Sequence, residues 1–186
     1  MTTTSFVVGL LGDNIGGSLA KPLQEGEGEA QGLSLAYRLI DGTQAGLRLQ
    51  DTHDVLRWAV RLGFDGLAVT HPFKNAVMAS VDQATIEAQA LGASNLVVIR
   101  DGRTTAHNTD WVGFADALRA TLPESLGDRI VLLGAGGAGV AVGYGALRCG
   151  AAHLDIIDQD ADRAAAVAAR RGSLVGTHRV GATSDL

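Results

Sequence analysis

One group of residues in this 186-residue chain has types and spacing suited to holding phosphate. Gly134-Ala135-Gly136-Gly137-Ala138-Gly139 reads G-x-G-x-x-G, directly after the apolar run Ile130–Leu133 and at the head of a helical pattern. In that setting the first glycine turns the chain tightly and the second removes a side chain that would block a pyrophosphate. The third lets the helix close on the strand. The start of the helix then offers unpaired N–H groups and the positive end of its dipole to the phosphates. Asp158 ends the next apolar run about 20 residues further on, where a carboxylate accepts from the adenosine ribose hydroxyls. A carboxylate repels a 2′-phosphate, so the expected cofactor is NAD, with NADP possible if Arg163 offsets that repulsion. Arg163 reads more simply as a solvated residue of the following helix. The blander view of the glycines is close packing alone, but strand, loop, helix, strand and acid in this order argue against it.

A second group comprises three polar segments at the ends of predicted strands, where open α/β sheets bind ligands. They are Val69-Thr70-His71-Pro72-Phe73-Lys74, Gly92-Ala93-Ser94-Asn95 and His107-Asn108-Thr109-Asp110. His71 and His107 flank these segments without a carboxylate–histidine spacing that suits a metal, so no metal site is expected.

The elements that must position both groups alternate between short apolar runs and runs of helical period. Strands are expected at Phe6–Leu11, within Leu33–Ile40, at Gly66–Val69 and at Asn95–Arg100, the last turning at Asp101-Gly102. Helices are expected at Thr52–Leu62, with Val55, Leu56, Ala59 and Leu62 on one face, and at Ala84–Leu91. Trp58 on the first of these is read as core or rim packing. After a connecting helix, Asp110–Leu122, and a break at Pro123-Glu124-Ser125, a new unit begins. It reads as strand Ile130–Leu133, helix Ala138–Arg148, strand Leu154–Ile157, helix Ala161–Arg171 and a third strand near Val180. The pattern is that of an α/β fold with a largely parallel sheet. We divide it into an N-terminal α/β substrate-binding domain, residues 1–110, and a Rossmann dinucleotide-binding domain, residues 111–186.

Composition narrows the function classes. A hydrophobic content of 46% is enough for a buried core, and the formal charge of −5 comes without any basic run, so nucleic acid is not an expected partner. The single cysteine, Cys149, excludes an internal disulfide framework and suits a reducing cytoplasm. The opening MTTTSFVVGLLGD lacks a basic leader region and reads as a buried strand, and nothing reaches the length of a membrane-spanning helix.

Taken in order, the segments resemble the shikimate/quinate dehydrogenase family, which reads V-T-x-P-x-K, G-A-x-N-T and N-T-D-G-x-G-F before a glycine-rich Rossmann loop. The third motif stands here as Asn108-Thr109-Asp110-Trp111-Val112-Gly113-Phe114. The resemblance implies that Lys74 and Asp110 are the catalytic pair and that Asn95 binds substrate hydroxyls. Thr70 and Ser18 then line the substrate site, Ser18 near the carboxylate, and Gly134, Gly136, Gly137, Ala138, Gly139, Asp158 and Arg163 form the cofactor site. A lysine beside a carboxylate both donates and accepts a proton, which alcohol oxidation and carbonyl reduction require. The bland alternative is a surface Lys74 and an Asp110 that caps a helix.

Departures from the family's pattern bear on the substrate. Ala20 stands where a second hydroxyl is usual, Gln24 where a histidine is, Ala68 for an asparagine, Leu96 for a threonine and Trp111 for a glycine. Losing a positioned donor changes substrate discrimination strongly. Lys21 either supplies a compensating charge or faces solvent, the latter being favoured. The expected substrate is a hydroxylated cyclohexene or cyclohexane carboxylate. The alternatives are an amino-substituted analogue, or a non-catalytic chain that binds a nucleotide or partner. A monomer or homodimer is expected. The Rossmann domain reads as incomplete at its C-terminal end, so these residues alone are expected to bind nucleotide weakly, to turn nothing over and to be poorly ordered after about Arg171.

Overall fold

Small and apolar residues from Ser5 to Gly12 form β1, the strand around which the first unit is built. β2 (Ser34–Asp41) and β3 (Gly66–Val69) flank it, both parallel to it. β3 pairs antiparallel with β5 (Leu96–Arg100), and β5 antiparallel with β6 (Arg103–His107). Short β4 (Gln83–Ala84) lies parallel to β6, giving the order β2-β1-β3-β5-β6-β4. The sheet is therefore mixed: three of its pairings are parallel, as expected of a largely parallel sheet, and two are antiparallel. The β5–β6 pairing is antiparallel because of the turn at Asp101-Gly102, whose φ angles of 53° and 73° match the two-residue hairpin turn. Such a turn returns the chain at once, whereas a parallel neighbour needs a long crossover.

The computed structural model describes residues 4–122, 129–172 and 179–183. It divides between His107 and Asn108 into two compact units. In the first, α3 (Thr52–Arg61) buries Val55, Leu56 and Ala59 against Leu11, Leu67, Val69 and Val97 of the sheet. Each large aliphatic side chain so buried contributes about 1.5–3 kcal/mol. Leu62, expected on that face, lies past the helix end and is 74% exposed, and Trp58 is a half-exposed rim residue.

The opposite sheet face carries Leu10 and Tyr37 under α1 (Ala20–Ala30), a helix its sequence hides. Pro22 falls in its first turn, where no N–H is needed, and Gly28 is buried against Leu35. Lys21, expected to face solvent, is half exposed and also bonded. Its ammonium bonds Glu25 at 2.5 Å and the Tyr37 carbonyl at 2.8 Å. Three shorter helices complete the unit: α2 (Gly42–Ala45), α4 (Phe73–Ala76) and α5 (Ile86–Leu91).

The second unit runs α6 (Asp110–Thr121), β7 (Arg129–Leu133), α7 (Gly137–Arg148), β8 (His153–Ile157), α8 (Ala161–Gly172) and β9 (Arg179–Thr183). Its three strands pair in parallel in the order β7-β8-β9. Leu132, Leu147, Leu154, Ile156 and Ala164 form its core. α6 and α7 approach closely because residue 145 is glycine: a Cβ there would lie 2.9 Å from the Trp111 carbonyl. Trp111 meets Tyr144 edge-on across the same contact, ring centroids 5.2 Å apart. The expected disorder after Arg171 falls largely on residues 173–178 and 184–186, outside the described residues.

Candidate functional site

In the first unit, main-chain bonds gather the segments at the ends of β3, β5 and β6. The Val69 N–H donates to the Asn95 carbonyl (2.8 Å), the Ser94 N–H to the Lys74 carbonyl (2.8 Å) and the Asn95 N–H to the His107 carbonyl (3.2 Å). Ser94 is the rivet. Its side chain is fully buried and its hydroxyl stands 2.9 Å from the Leu96 carbonyl and 2.8 Å from that of His107. Thr70, Lys74 and Asn95 are thereby fixed in one cluster. Lys74 sits half-buried in α4, the single turn of helix that follows β3.

The loop after β1 joins the same end of the sheet. The Asp13 N–H donates to the His71 carbonyl (2.9 Å) and the Thr70 N–H to the Leu11 carbonyl (2.8 Å). A Cβ at Gly12 would lie 2.2 Å from the Thr70 methyl, so this approach requires glycine. Asp41 shapes the loop: its carboxylate accepts from the N–H groups of Asn14, Ile15, Thr43 and Gln44. Burial pushes that carboxyl up, but the four N–H donors outweigh it and hold it below its ordinary value. Ser18 lies at the loop's end, where its oxygen accepts from the Ala20 N–H at 3.2 Å. A hollow of about 610 Å³ beside β2, lined by Lys21, Asp41 and Gln44 among others, includes none of Thr70, Lys74 and Asn95.

In the second unit, Asp110 is the first residue of α6. Thr109 holds the cap position without a side-chain cap bond of its own, and Asn108 Oδ1 accepts from the Asp110 N–H at 3.2 Å. The glycine loop fits a phosphate. Gly134 has φ 98°, and a Cβ at Gly136 would meet nothing within 4 Å. A Cβ at Gly139 would fall 1.9 Å from the Gly134 carbonyl oxygen. The cap position of α7 is Gly136, which has no side chain to cap the helix.

Asp158, at the end of β8, is buried and turned toward this loop, accepting from the Ala135 N–H at 2.6 Å and the Asp160 N–H at 2.9 Å. Arg163 grips it as well, through Nε at 3.3 Å and more closely through Nη2. Arg163 is a half-exposed residue of α8, as the solvated reading expects, and it is also bonded to Asp158. The guanidinium and the two N–H donors hold the Asp158 carboxyl well below the usual carboxylate range. Among the described residues no cluster of His, Cys, Asp and Glu suits a metal, and no helix is long and apolar enough to cross a membrane.

Comparison with known proteins matches residues 10–97 to the shikimate dehydrogenase substrate binding domain. The shikimate dehydrogenase (NADP(+)) of Pseudarthrobacter chlorophenolicus is 52% identical over 164 residues, which are 88% of this chain and 56% of that protein. The chain is similar to members of the shikimate/quinate dehydrogenase family. The quinate/shikimate dehydrogenase (NAD(+)) of Corynebacterium efficiens is 40% identical over 97% of the chain and 64% of its own length. A solved quinate dehydrogenase from Corynebacterium glutamicum in complex with NAD superposes with a TM-score of 0.88, at 39% identity over 96% of this chain and 64% of that one. The chain spans 56–64% of the length of these family members.

Sequence reasoning named the polar segments, Ser94 among them, but gave no positioning role to Ser94, Gly12 or Asp41. Only Asp41 carried a signal, an acid directly before a glycine at the end of an apolar run.

Proposed function

We propose that this protein is a shikimate/quinate-type oxidoreductase. It moves hydride reversibly between a nicotinamide dinucleotide and a ring hydroxyl or ketone of a hydroxylated cyclohexene or cyclohexane carboxylate. The observation that carries this reading is the bonded cluster of Thr70, Lys74 and Asn95 at the strand ends, in a chain that also presents the glycine loop. Bound at that loop, the nicotinamide dinucleotide supplies the hydride acceptor or donor. Lys74 handles the proton, taking it from the hydroxyl in oxidation and returning it to the carbonyl oxygen in reduction. Asp110 takes the second catalytic place by its match to N-T-D.

Asn95 and Thr70 hold ring hydroxyls. Ser18, whose oxygen already accepts from Ala20, keeps its proton to donate to the carboxylate. NAD is favoured wherever Asp158 accepts from the ribose, with NADP second. The lone Cys149 suits work in the cytoplasm.

The surroundings of Ala20 and Ala68 favour a second reading, an altered substrate such as an amino-substituted analogue. Both methyls pack on the Leu10–Ile15–Tyr37 cluster, so neither position presents a donor. Equilibrium binding and turnover across shikimate, quinate and the amino analogue, with each dinucleotide, tests both. Preference for shikimate or quinate supports the first reading, and preference for the analogue the second. Failure to bind any cyclic acid sinks both.

A further inference from the structure

One residue that departs from the family's pattern stands next to a proposed catalytic group. Trp111 takes the place of the usual glycine directly after Asp110, in the first turn of α6. With Phe114 and Ala115 it makes a stripe at helical spacing, and the stripe meets α7. The Trp111 ring stands edge-on to that of Tyr144, at 89° with centroids 5.2 Å apart. Tyr144 is itself buried, so the ring it presents has a fixed place. Phe114 lies against Gly145, and the carbonyl of fully buried Ala115 accepts from the Cys149 thiol at 3.5 Å.

Asp110 lies one residue back, about 100° around the helix from Trp111, so the roll of α6 about its axis aims the carboxylate. A side-chain tip stands about 5–6 Å from the axis, and a roll of about 10° carries it about 1 Å. A misplacement of about 1 Å at a reacting centre costs up to about 10²-fold in rate. The contacts of Phe114 and Ala115 begin one turn further on. The bond from the Asp110 N–H to Asn108 holds main chain, not the carboxylate. Trp111 carries the grip on α7 back to the turn that holds Asp110.

We propose that Trp111 is a positioning residue for Asp110: its ring, set against Tyr144, fixes the roll and order of the first turn of α6. A glycine in its place would let that grip begin one turn later. This inference rests on the reading of Asp110 as a catalytic carboxylate.

Two measurements test it. The first is amide hydrogen exchange in the 186-residue chain without ligand. The Gly113 N–H donates to the Thr109 carbonyl at 3.2 Å and closes the first turn. Its native protection is expected to come within about tenfold of amides in the middle of α6, although helix ends usually fray. In Trp111→Ala that protection is expected to fall about fivefold or more, by loss of the ring pair. Alanine is the better helix former, so propensity does not account for the loss.

The second measures kcat and KM in a version extended to the length of its relatives. Trp111→Ala is expected to lower kcat about tenfold, with KM for cyclic acid and dinucleotide within about twofold. Trp111→Phe, which keeps a ring for Tyr144, is expected to stay within about threefold of native. Gly113 exchanging in native protein as freely as an unfolded amide overturns the proposal without recourse to any variant. So does native kcat in Trp111→Ala, a loss confined to KM, or a Phe variant no better than the Ala one. Native turnover by Asp110→Asn overturns the catalytic reading of Asp110, and this inference with it.

Discussion

The two units hold their functional residues by opposite means. In the first, buried polar side chains do the positioning: Ser94 links the ends of β5 and β6, and Asp41 gathers four N–H groups to shape the loop before Ser18. In the second, positioning comes from side chains that are missing. Gly136 leaves open space for a phosphate, and Gly139 lets α7 close on the turn. A site that must grip a polar ring needs directed donors and acceptors. One that cradles a pyrophosphate needs bare backbone.

The contrast can be sharpened by substitution. The largest effect is expected from Lys74→Ala, which removes the proton carrier while the Lys74 carbonyl still accepts from Ser94. In a version extended to the length of its relatives, turnover is expected to fall on the order of 10²–10⁴-fold with unchanged circular dichroism. Activity close to native would remove Lys74 from the mechanism.

Next comes a pair of glycine substitutions. Gly139→Ala forces a methyl against the Gly134 carbonyl and is expected to cost about 1–3 kcal/mol of stability along with nucleotide binding. Gly136→Ala, in open space, is expected to weaken nucleotide binding while leaving the melting temperature in place. Equal losses of stability in both would break the distinction between a packing glycine and a phosphate glycine.

Ser94→Ala removes the hydroxyl shared by the Leu96 and His107 carbonyls and is expected to cost about 1 kcal/mol in urea unfolding, with shikimate or quinate binding reduced in parallel. A neutral result would show that the main-chain ties among Lys74, Asn95 and His107 suffice alone.

The smallest effect is one of pH. The Asp41 carboxyl is held below its ordinary value of 3.8 in the folded protein. Its stabilisation is therefore complete well above that value and fades as pH falls through the lower, folded one. Unfolding free energy is expected to decline below about pH 5 and to go on declining below 3.8. Asp41→Asn is expected to be less stable at neutral pH and to show a shallower decline. An identical slope in the variant would assign the acid sensitivity to other carboxylates.

Sequence made the glycine loop legible because its constraints are local: each glycine answers to a neighbour within a few residues. It also showed the polar segments at the strand ends, since each follows an apolar run. The strand Arg103–His107 escaped because Arg-Thr-Thr-Ala-His carries too little apolar periodicity; it pairs only because the Asp101-Gly102 turn delivers it to β5. α1 escaped because Pro22, Gly26 and Gly28 argue against helix, and what settles it is a tertiary contact between Gly28 and Leu35. The grip of Arg163 on Asp158 depends on the turn between β8 and α8, a shape that spacing does not reveal.

Lys21 has one consequence beyond the site. β2 is the outermost strand of its sheet, and strands in that place invite pairing with other chains. At Tyr37 both outward main-chain groups are taken: the N–H donates to Glu25 at 3.0 Å and the carbonyl accepts from Lys21 at 2.8 Å. An incoming strand would have to evict an ion pair before it could form its first bond here. Lys21, read as a spare charge or a solvent-facing residue, thus covers part of an exposed strand edge together with Glu25.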